Sequence, residues 1–207
     1  MGDFNLLNIK AAAVALRHGG LAENIIRSSL ASCLPPRGRL DSMENGQLFL
    51  VLVHYAHTPD GLDNVLNAAK KMALARNGKL LVLFGCGGNR DGKKRPQMRR
   101  IASNIADAVV ITDDNPRLEN SSTIIAEIVS GLAFDFKKYT VIADRERVIQ
   151  FVIDQAKDKD VVILAGKGHE AYQIFATETI YFDDREKAMK ALSIRSKVAV
   201  LEYDLRI

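Results

Sequence analysis

A chain of 207 residues with 47% hydrophobic content has room for one full domain plus an appendage, and its formal net charge of +4 suits anionic small molecules without marking a nucleic-acid surface. Two cysteines, Cys33 and Cys86, are too few and too differently placed for a disulfide framework or a metal site. No apolar run approaches the length of a membrane span, and Met1-Gly2-Asp3-Phe4 does not open a secretory signal; a cytoplasmic protein with no membrane span and no nucleic-acid partner is expected.

Leu6, Ile9, Ala13 and Leu16 recur at helical spacing within residues 5–17, and Gly19-Gly20 closes that helix. A second helix is predicted over 21–31, carrying Ile25, Ile26 and Leu30 and ending before Pro35-Pro36. This hairpin is too small to bury a core of its own. Residues 35–39 read as a linker, dividing the chain into segments 1–38 and 39–207. From Gln47 onward strands and helices alternate, the pattern of a mainly parallel α/β sheet. Strands are predicted over 48–53, 79–84, 108–112, 139–143 and 161–165, and helices over 59–76, 96–106, 121–132 and from Asp144 to about 157. Residues 172–175 and 180–182 suggest a hairpin, Asp183 or Asp184 caps a helix ending near Leu192, and 197–201 suggests a last edge strand.

The chemistry gathers where predicted strands end. Ala108-Val109-Val110-Ile111-Thr112 runs into Asp113-Asp114-Asn115-Pro116-Arg117. Leu80-Leu81-Val82-Leu83-Phe84 runs into Gly85-Cys86-Gly87-Gly88-Asn89-Arg90-Asp91, and Val161-Val162-Ile163-Leu164-Ala165 into Gly166-Lys167-Gly168-His169-Glu170. Open α/β sheets place ligands at the carboxyl ends of their strands. Here those ends offer an amide that both donates and accepts, guanidinium groups suited to a carboxylate, and a carboxylate suited to an ammonium. That is equipment for a small zwitterion, and an amino acid is the natural candidate.

Each motif also has a plainer reading. Gly87-Gly88 ahead of Arg90 is either an arm that carries an arginine to a ligand or a solvated basic turn. Gly166 to Glu170 is either an ammonium-binding turn, with His169 packed behind it, or an ordinary surface turn. Gly87, Gly92 and Lys93 satisfy the glycines and lysine of a P-loop, but Lys94 stands where a hydroxyl must meet magnesium. Tyr55-Ala56-His57-Thr58-Pro59-Asp60 sits where a helix amino terminus attracts anions, although Thr58 is equally a simple N-cap. No catalytic triad, paired-carboxylate site or His/Cys metal spacing emerges.

Taken together, Tyr55-Ala56-His57-Thr58-Pro59-Asp60, Phe84-Gly85-Cys86-Gly87-Gly88-Asn89-Arg90-Asp91, Lys94-Arg95-Pro96, Asp113-Asp114-Asn115-Pro116-Arg117 and Ala165-Gly166-Lys167-Gly168-His169-Glu170 with Tyr172-Gln173 closely resemble the Mur ligases, most specifically their meso-diaminopimelate-adding branch. The likeness runs in order through nearly the whole chain. It implies a Rossmann-like α/β fold over 39–207, a mainly parallel sheet flanked by helices that forms the family's carboxyl-terminal amino-acid-binding domain. Segment 1–38 would be the helical tail of the central ATPase domain. The implied reaction is ATP-dependent amide formation, adding meso-diaminopimelate to UDP-N-acetylmuramoyl-L-alanyl-D-glutamate in peptidoglycan synthesis, with ATP and Mg2+ serving the full-length enzyme.

By the same resemblance Arg90, Asn115, Arg117, Gly166 and Glu170 would hold meso-diaminopimelate, and Asn8, Arg39 and the position of His54 would meet the nucleotide. His54 stands where the family has an aspartate. No catalytic residue and no metal ligand is assigned. The family's P-loop, magnesium ligands and UDP-sugar domain would lie upstream of Gly2, so a carboxyl-terminal piece, inactive alone, is expected. The alternative is a non-catalytic diaminopimelate-binding module derived from such a ligase, which His54 favours and Asn8 and Arg39 oppose. The Asp-Asn-Pro-Arg run counts against a folylpolyglutamate-synthase-like piece of the same fold.

Overall fold

The computed structural model describes residues 3–32, 37–131 and 138–204, with side chains described over 7–32, 37–131 and 138–198. The chain divides into two compact units, Met1–Arg37 and Gly38–Ile207. The first is a helical hairpin, α1 (Asp3–His18) and α2 (Glu23–Ser32). Gly20 adopts a φ of +84° in the turn between them, a conformation that suits glycine. Arg17 at the end of α1 reaches Glu23 at the start of α2 at 2.8 Å. Pro35 and Pro36 of the expected linker, and the expected end of a helix at Leu132, lie outside the described residues.

The second unit is built on a six-stranded sheet. Its strands are β1 (Arg39–Met43), β2 (Leu50–His54), β3 (Leu80–Phe84), β4 (Ala108–Ile111), β5 (Tyr139–Val141) and β6 (Val161–Ala165), arranged β1-β2-β6-β3-β4-β5. All neighbours run parallel except β1, which pairs antiparallel with β2. The helices are α3 (Pro59–Ala75), α4 (Lys94–Ile105), α5 (Ser121–Val129), α6 (Arg145–Gln155) and α7 (Asp184–Asp204). A short antiparallel hairpin, β7 (Tyr172–Ile174) and β8 (Thr179–Tyr181), follows β6.

Handedness explains the layering. The chain passes from β2 to β3 and on outward to β4 and β5, so right-handed crossovers put α3, α4 and α5 on one face. It then returns to insert β6 between β2 and β3, which sends α6 to the other face. Leu62, Leu66, Met98 and Ile128 pack on one side of the sheet against Val82, Phe84 and Ile163. Val148, Val152 and Leu192 pack on the other against Val51, Leu83 and Val162. Covered on both faces, β6 is wholly buried, which accounts for its unbroken apolar run Val-Val-Ile-Leu-Ala. The connections reverse direction at β6, so the crevice above its carboxyl end is the topological switch point.

Registry makes that edge even. His54 of β2 lies opposite Ala165 of β6, Leu83 of β3 opposite Leu164, and Phe84 opposite Ile111 of β4. Helix entry is set by side-chain caps. Thr58 accepts from Gly61 N at 3.2 Å ahead of Pro59, Asn120 from Ser122 N at 2.9 Å, and Asp144 from Arg147 N at 3.0 Å.

Two expectations need correction. Residues 197–201 form the last turns of α7 rather than an edge strand, because no glycine or proline interrupts 185–204 and the helix simply continues. Residues 39–43, expected to begin as linker, are the edge strand β1. Its Arg-Leu-Asp-Ser-Met sequence has no alternating apolar face, and an irregularity between Arg39 and Asp41 with Leu40 at a φ of 60° obscures the period further.

The carboxyl edge of the sheet is held by one buried ion pair. Arg145, at the start of α6, donates from Nε and Nη2 to the two oxygens of Asp184 at 2.8 and 2.7 Å, with both side chains fully buried. Its Nη1 donates to Asp113 O and its Nη2 also to Ala165 O, both at 3.1 Å. Removing one member of such a pair strands the other, at a cost of about 3–5 kcal/mol. Arg145→Met is expected to lower the urea midpoint accordingly at unchanged m-value, and Arg145→Met with Asp184→Leu to regain a large part of the loss.

Candidate functional site

Glycines let the strand-end loops touch. A Cβ on Gly88 would run into Pro116 O, and one on Gly85 into Thr112 O, so the loop after β3 lies directly on the loop after β4. Hydrogen bonds close that seam: Gly88 N to Asn115 O at 2.9 Å, Leu118 N to Asn89 Oδ1 at 3.0 Å, and Asn89 N to Glu119. Arg95, almost wholly buried, braces it from below by donating to Glu119, Glu127 and Gly87 O. On the other side, Gly168 at a φ of +55° presses against Tyr55 at the end of β2, and Gly38 against Gly168.

At the centre lie the ends of β4 and β6. Asn115 is buried, its Nδ2 donating to Glu170 Oε2 at 3.1 Å and its Oδ1 accepting from Ile174 N at 3.0 Å and from Lys167 Nζ at 3.1 Å. Lys167 is fully buried, with Asp114 Oδ1 at 3.5 Å, Glu170 Oε2 at 3.8 Å and the Tyr172 ring centroid at 5.6 Å. Burial pushes its pKa down, partly opposed by Asp114. Asp114 Oδ1 is buried and makes no hydrogen bond among the described residues. Gly166 adopts a φ of +119°, which favours glycine, and lies between Asp114 and Arg145.

Arg117, at a φ of 56°, donates its backbone N–H to Ile174 O at 3.0 Å. Its Nη1 donates to Gly88 O at 2.9 Å and reaches Asn115 O at 3.4 Å, leaving Nε and Nη2 without a partner among the described residues. Arg90 is exposed on the loop after β3. Tyr55 ties these groups to one place. Burial, then Glu170 and Asp114, raise the pKa of its phenol, while Arg39 and Arg90 pull it back down. The rings of His57 and His169 lie 4.4 and 4.9 Å from it. Burial and then Lys94, whose Nζ donates to His57 O at 2.7 Å, lower the pKa of His57.

Of the five residues expected to bind the amino acid, Asn115, Arg117 and Glu170 thus share one hydrogen-bonded cluster, Gly166 adjoins it beside Asp114, and Arg90 lies within electrostatic reach of Tyr55. Residue types alone did not single out Lys167 and Asp114. Their signal was a lysine between two glycines directly after a fully apolar strand, and a second acid ahead of Asn115. The residues expected to meet a nucleotide fall in both units, and Arg39 and His54 are paired across β1 and β2. Asn8 is exposed on α1 in the first unit, and Arg39 is exposed at the start of β1. His54 is buried at the end of β2, its Nδ1 accepting from Leu40 N at 3.0 Å. Among the described residues no group of His, Cys, Asp or Glu is placed to hold a metal ion, and no helix is long and apolar enough to cross a membrane.

A cluster that sets carboxylates and unpaired guanidinium nitrogens a few residues apart at a switch point is suited to a small molecule bearing both charges. Residues 38–168 match the model for the Mur ligase, glutamate ligase domain, and the chain belongs to the Mur ligase family. It is 43% identical over 195 residues to the UDP-N-acetylmuramoyl-L-alanyl-D-glutamate–2,6-diaminopimelate ligase of Geobacillus kaustophilus, covering 94% of this chain and 39% of that protein. Its identity to the ligase of the same name from Bacillus velezensis is 46% over 192 residues, 93% of this chain and 38% of that one. A solved structure of such a ligase matches with a TM-score of 0.73 at 35% identity, over 95% of this chain and 39% of that one. Folylpolyglutamate synthase from Thermotoga maritima shares the fold, with a TM-score of 0.57 at 24% identity over 80% of this chain and 36% of its own. The chain therefore spans about two fifths of the length of the curated relatives it matches.

His54 makes stability depend on pH. Burial, followed by the Arg39 charge and opposed by Asp41, lowers its pKa from 6.5 to about 4. The folded protein then binds fewer protons than the unfolded chain between those values. Stability is fully present above pH 6.5 and falls as the pH drops toward 4, by up to about 3 kcal/mol from this residue. His54→Asn, whose Oδ1 can still accept from Leu40 N, is expected to flatten that slope between pH 6.5 and 4, measured by urea unfolding of both proteins.

Proposed function

We propose that segment 39–207 is the amino-acid-binding domain of an ATP-dependent ligase that joins meso-diaminopimelate to UDP-N-acetylmuramoyl-L-alanyl-D-glutamate in peptidoglycan synthesis, and that segment 1–38 is the helical tail of the domain preceding it. In that reaction ATP, with Mg2+, phosphorylates the D-glutamate carboxylate of the UDP-muramoyl dipeptide, and the diaminopimelate amine displaces the phosphate to form the amide. Cytoplasmic action follows from those substrates.

The observation that carries the reading is the layout of donors and acceptors around Asn115. Glu170, with the Gly166 carbonyl, takes the ammonium of the free end of meso-diaminopimelate. The unpaired nitrogens of Arg117, the second N–H of Asn115 and the exposed guanidinium of Arg90 take its carboxylate. Gripping the far end leaves the other amine projecting toward the acyl phosphate, and orientation of that kind lowers a barrier by about 7–11 kcal/mol. No residue is assigned as general base. In this reading Asn8, Arg39 and the His54 position would each meet the nucleotide of the full-length enzyme. His54, buried where the family has an aspartate and already accepting from Leu40 N, is the one observation that favours the second reading, a module that binds diaminopimelate without catalysis.

L-Lysine keeps an ammonium at the free end but has no carboxylate there. Losing one charge-assisted hydrogen bond of about 1.5–3 kcal/mol weakens binding about tenfold or more. Titration of the chain, followed by NMR shifts, is expected to favour meso-diaminopimelate over L-lysine by that margin, and Arg117→Ala to remove most of the preference. Equal responses to the two amino acids in the unaltered chain would overturn the reading. The purified chain alone is also expected to release no phosphate from ATP when given both the muramoyl dipeptide and diaminopimelate; release would show that it carries a complete ligase site.

A further inference from the structure

Lys167 has no part in the contacts assigned above, yet it is fully buried beneath them, and a buried ammonium is costly unless it is paired. The backbone forces it inward, since Gly166 and Gly168 on either side both take positive φ values. Among the described residues its one hydrogen bond to a side chain is to Asn115 Oδ1, at 3.1 Å, while Asp114 and Glu170 lie farther off at 3.5 and 3.8 Å. Asn115 Oδ1 accepts a second bond from Ile174 N. Both of these partners can only donate, so the orientation of the amide follows from chemistry: the oxygen must face Lys167 and the nitrogen must face Glu170. With both lone pairs of its oxygen occupied, Asn115 can only donate to a ligand.

We propose that Lys167 is a positioning residue that locks the Asn115 amide with its N–H outward, so that the site accepts a carboxylate at that point and rejects an ammonium. A flipped amide would show its oxygen instead, inverting the preference. A residue serving only to fill space would be replaceable by methionine, which has nearly the same length and no donor. The inference rests on the proposed amino-acid site, but the lock itself can be read without a ligand.

The test compares the full chain with Lys167→Met. In the ligand-free protein, the Asn115 side-chain amide, assigned by its loss in Asn115→Leu, is expected to be protected from hydrogen exchange and to lose that protection in Lys167→Met. With meso-diaminopimelate and L-lysine as probes, Lys167→Met is expected to lose about tenfold in the preference for the former. Unchanged protection, or an unchanged preference in a folded Lys167→Met protein, overturns the proposal. An unaltered chain with no preference overturns the amino-acid site instead, and the exchange measurement still decides the lock. Should Lys167→Met not fold, Asn115→Asp serves. Its carboxylate would take the bonds from Lys167 and Ile174 but face Glu170 with a second negative oxygen. Binding of meso-diaminopimelate is then expected to be weak at neutral pH and to recover on acidification, as the two carboxylates come to share a proton. Binding by Asn115→Asp that matches the unaltered chain at every pH overturns the lock.

Discussion

The bidentate contact between Arg145 and Asp184 fixes the geometry of everything above the sheet. One guanidinium, fully buried, joins the first turn of α6 to the first turn of α7 and also donates to the carbonyl oxygens of Asp113 and Ala165. Those carbonyls mark the points where the chain leaves β4 and β6. Both loops that carry the candidate site therefore start from backbone positions held by the same planar group, which a flexible lysine ammonium would not define as tightly. A buried ion pair of this kind is weak evidence for stability, because desolvation offsets most of the attraction. Its value here is positional.

From that anchor the cluster builds upward in a series of polar contacts. Lys167 bonds Asn115, Asn115 bonds Glu170, and half-buried Arg117 and exposed Arg90 follow. Asp113, beside the anchor, is bonded to Ser121, and burial raises its pKa, with Ser121 and Arg145 pulling the other way. Opposite charges thus alternate through the crevice, with Asp184 below Arg145 and Asp114 and Glu170 around Lys167. Arg90 stands out toward solvent, and Arg117 is half-buried, its Nη1 on Gly88 O. A zwitterion entering there meets carboxylate on one side and guanidinium on the other. The low-dielectric floor strengthens each of those interactions relative to water.

Much of this was legible in the sequence, for a physical reason. A strand covered on both faces must be apolar throughout, so β3 and β6 announce themselves, and polar residues directly after them fall at the carboxyl edge. The Thr58, Asn120 and Asp144 caps likewise leave local marks. What could not be read was set by distant partners. β1 has a mostly polar sequence because only Met43 among its side chains is buried, and its identity as a strand comes from β2. The end of α7 was mistaken for a strand because Val198, Val200 and Leu201 suit either state in isolation. Lys167 looks like one more surface charge until Gly166 and Gly168 turn it inward. That His54 is buried against Leu40 N depends on the unforeseen strand β1.

The central claim is that the crevice over β4 and β6 holds an amino acid in one orientation. A crystal structure of the chain grown with meso-diaminopimelate tests it most directly. The account predicts the ligand's free-end ammonium against Glu170 and the Gly166 carbonyl, with the neighbouring carboxylate on Arg117 and the outward N–H of Asn115. A ligand bound elsewhere, or one with its carboxylate turned toward Glu170, would contradict it.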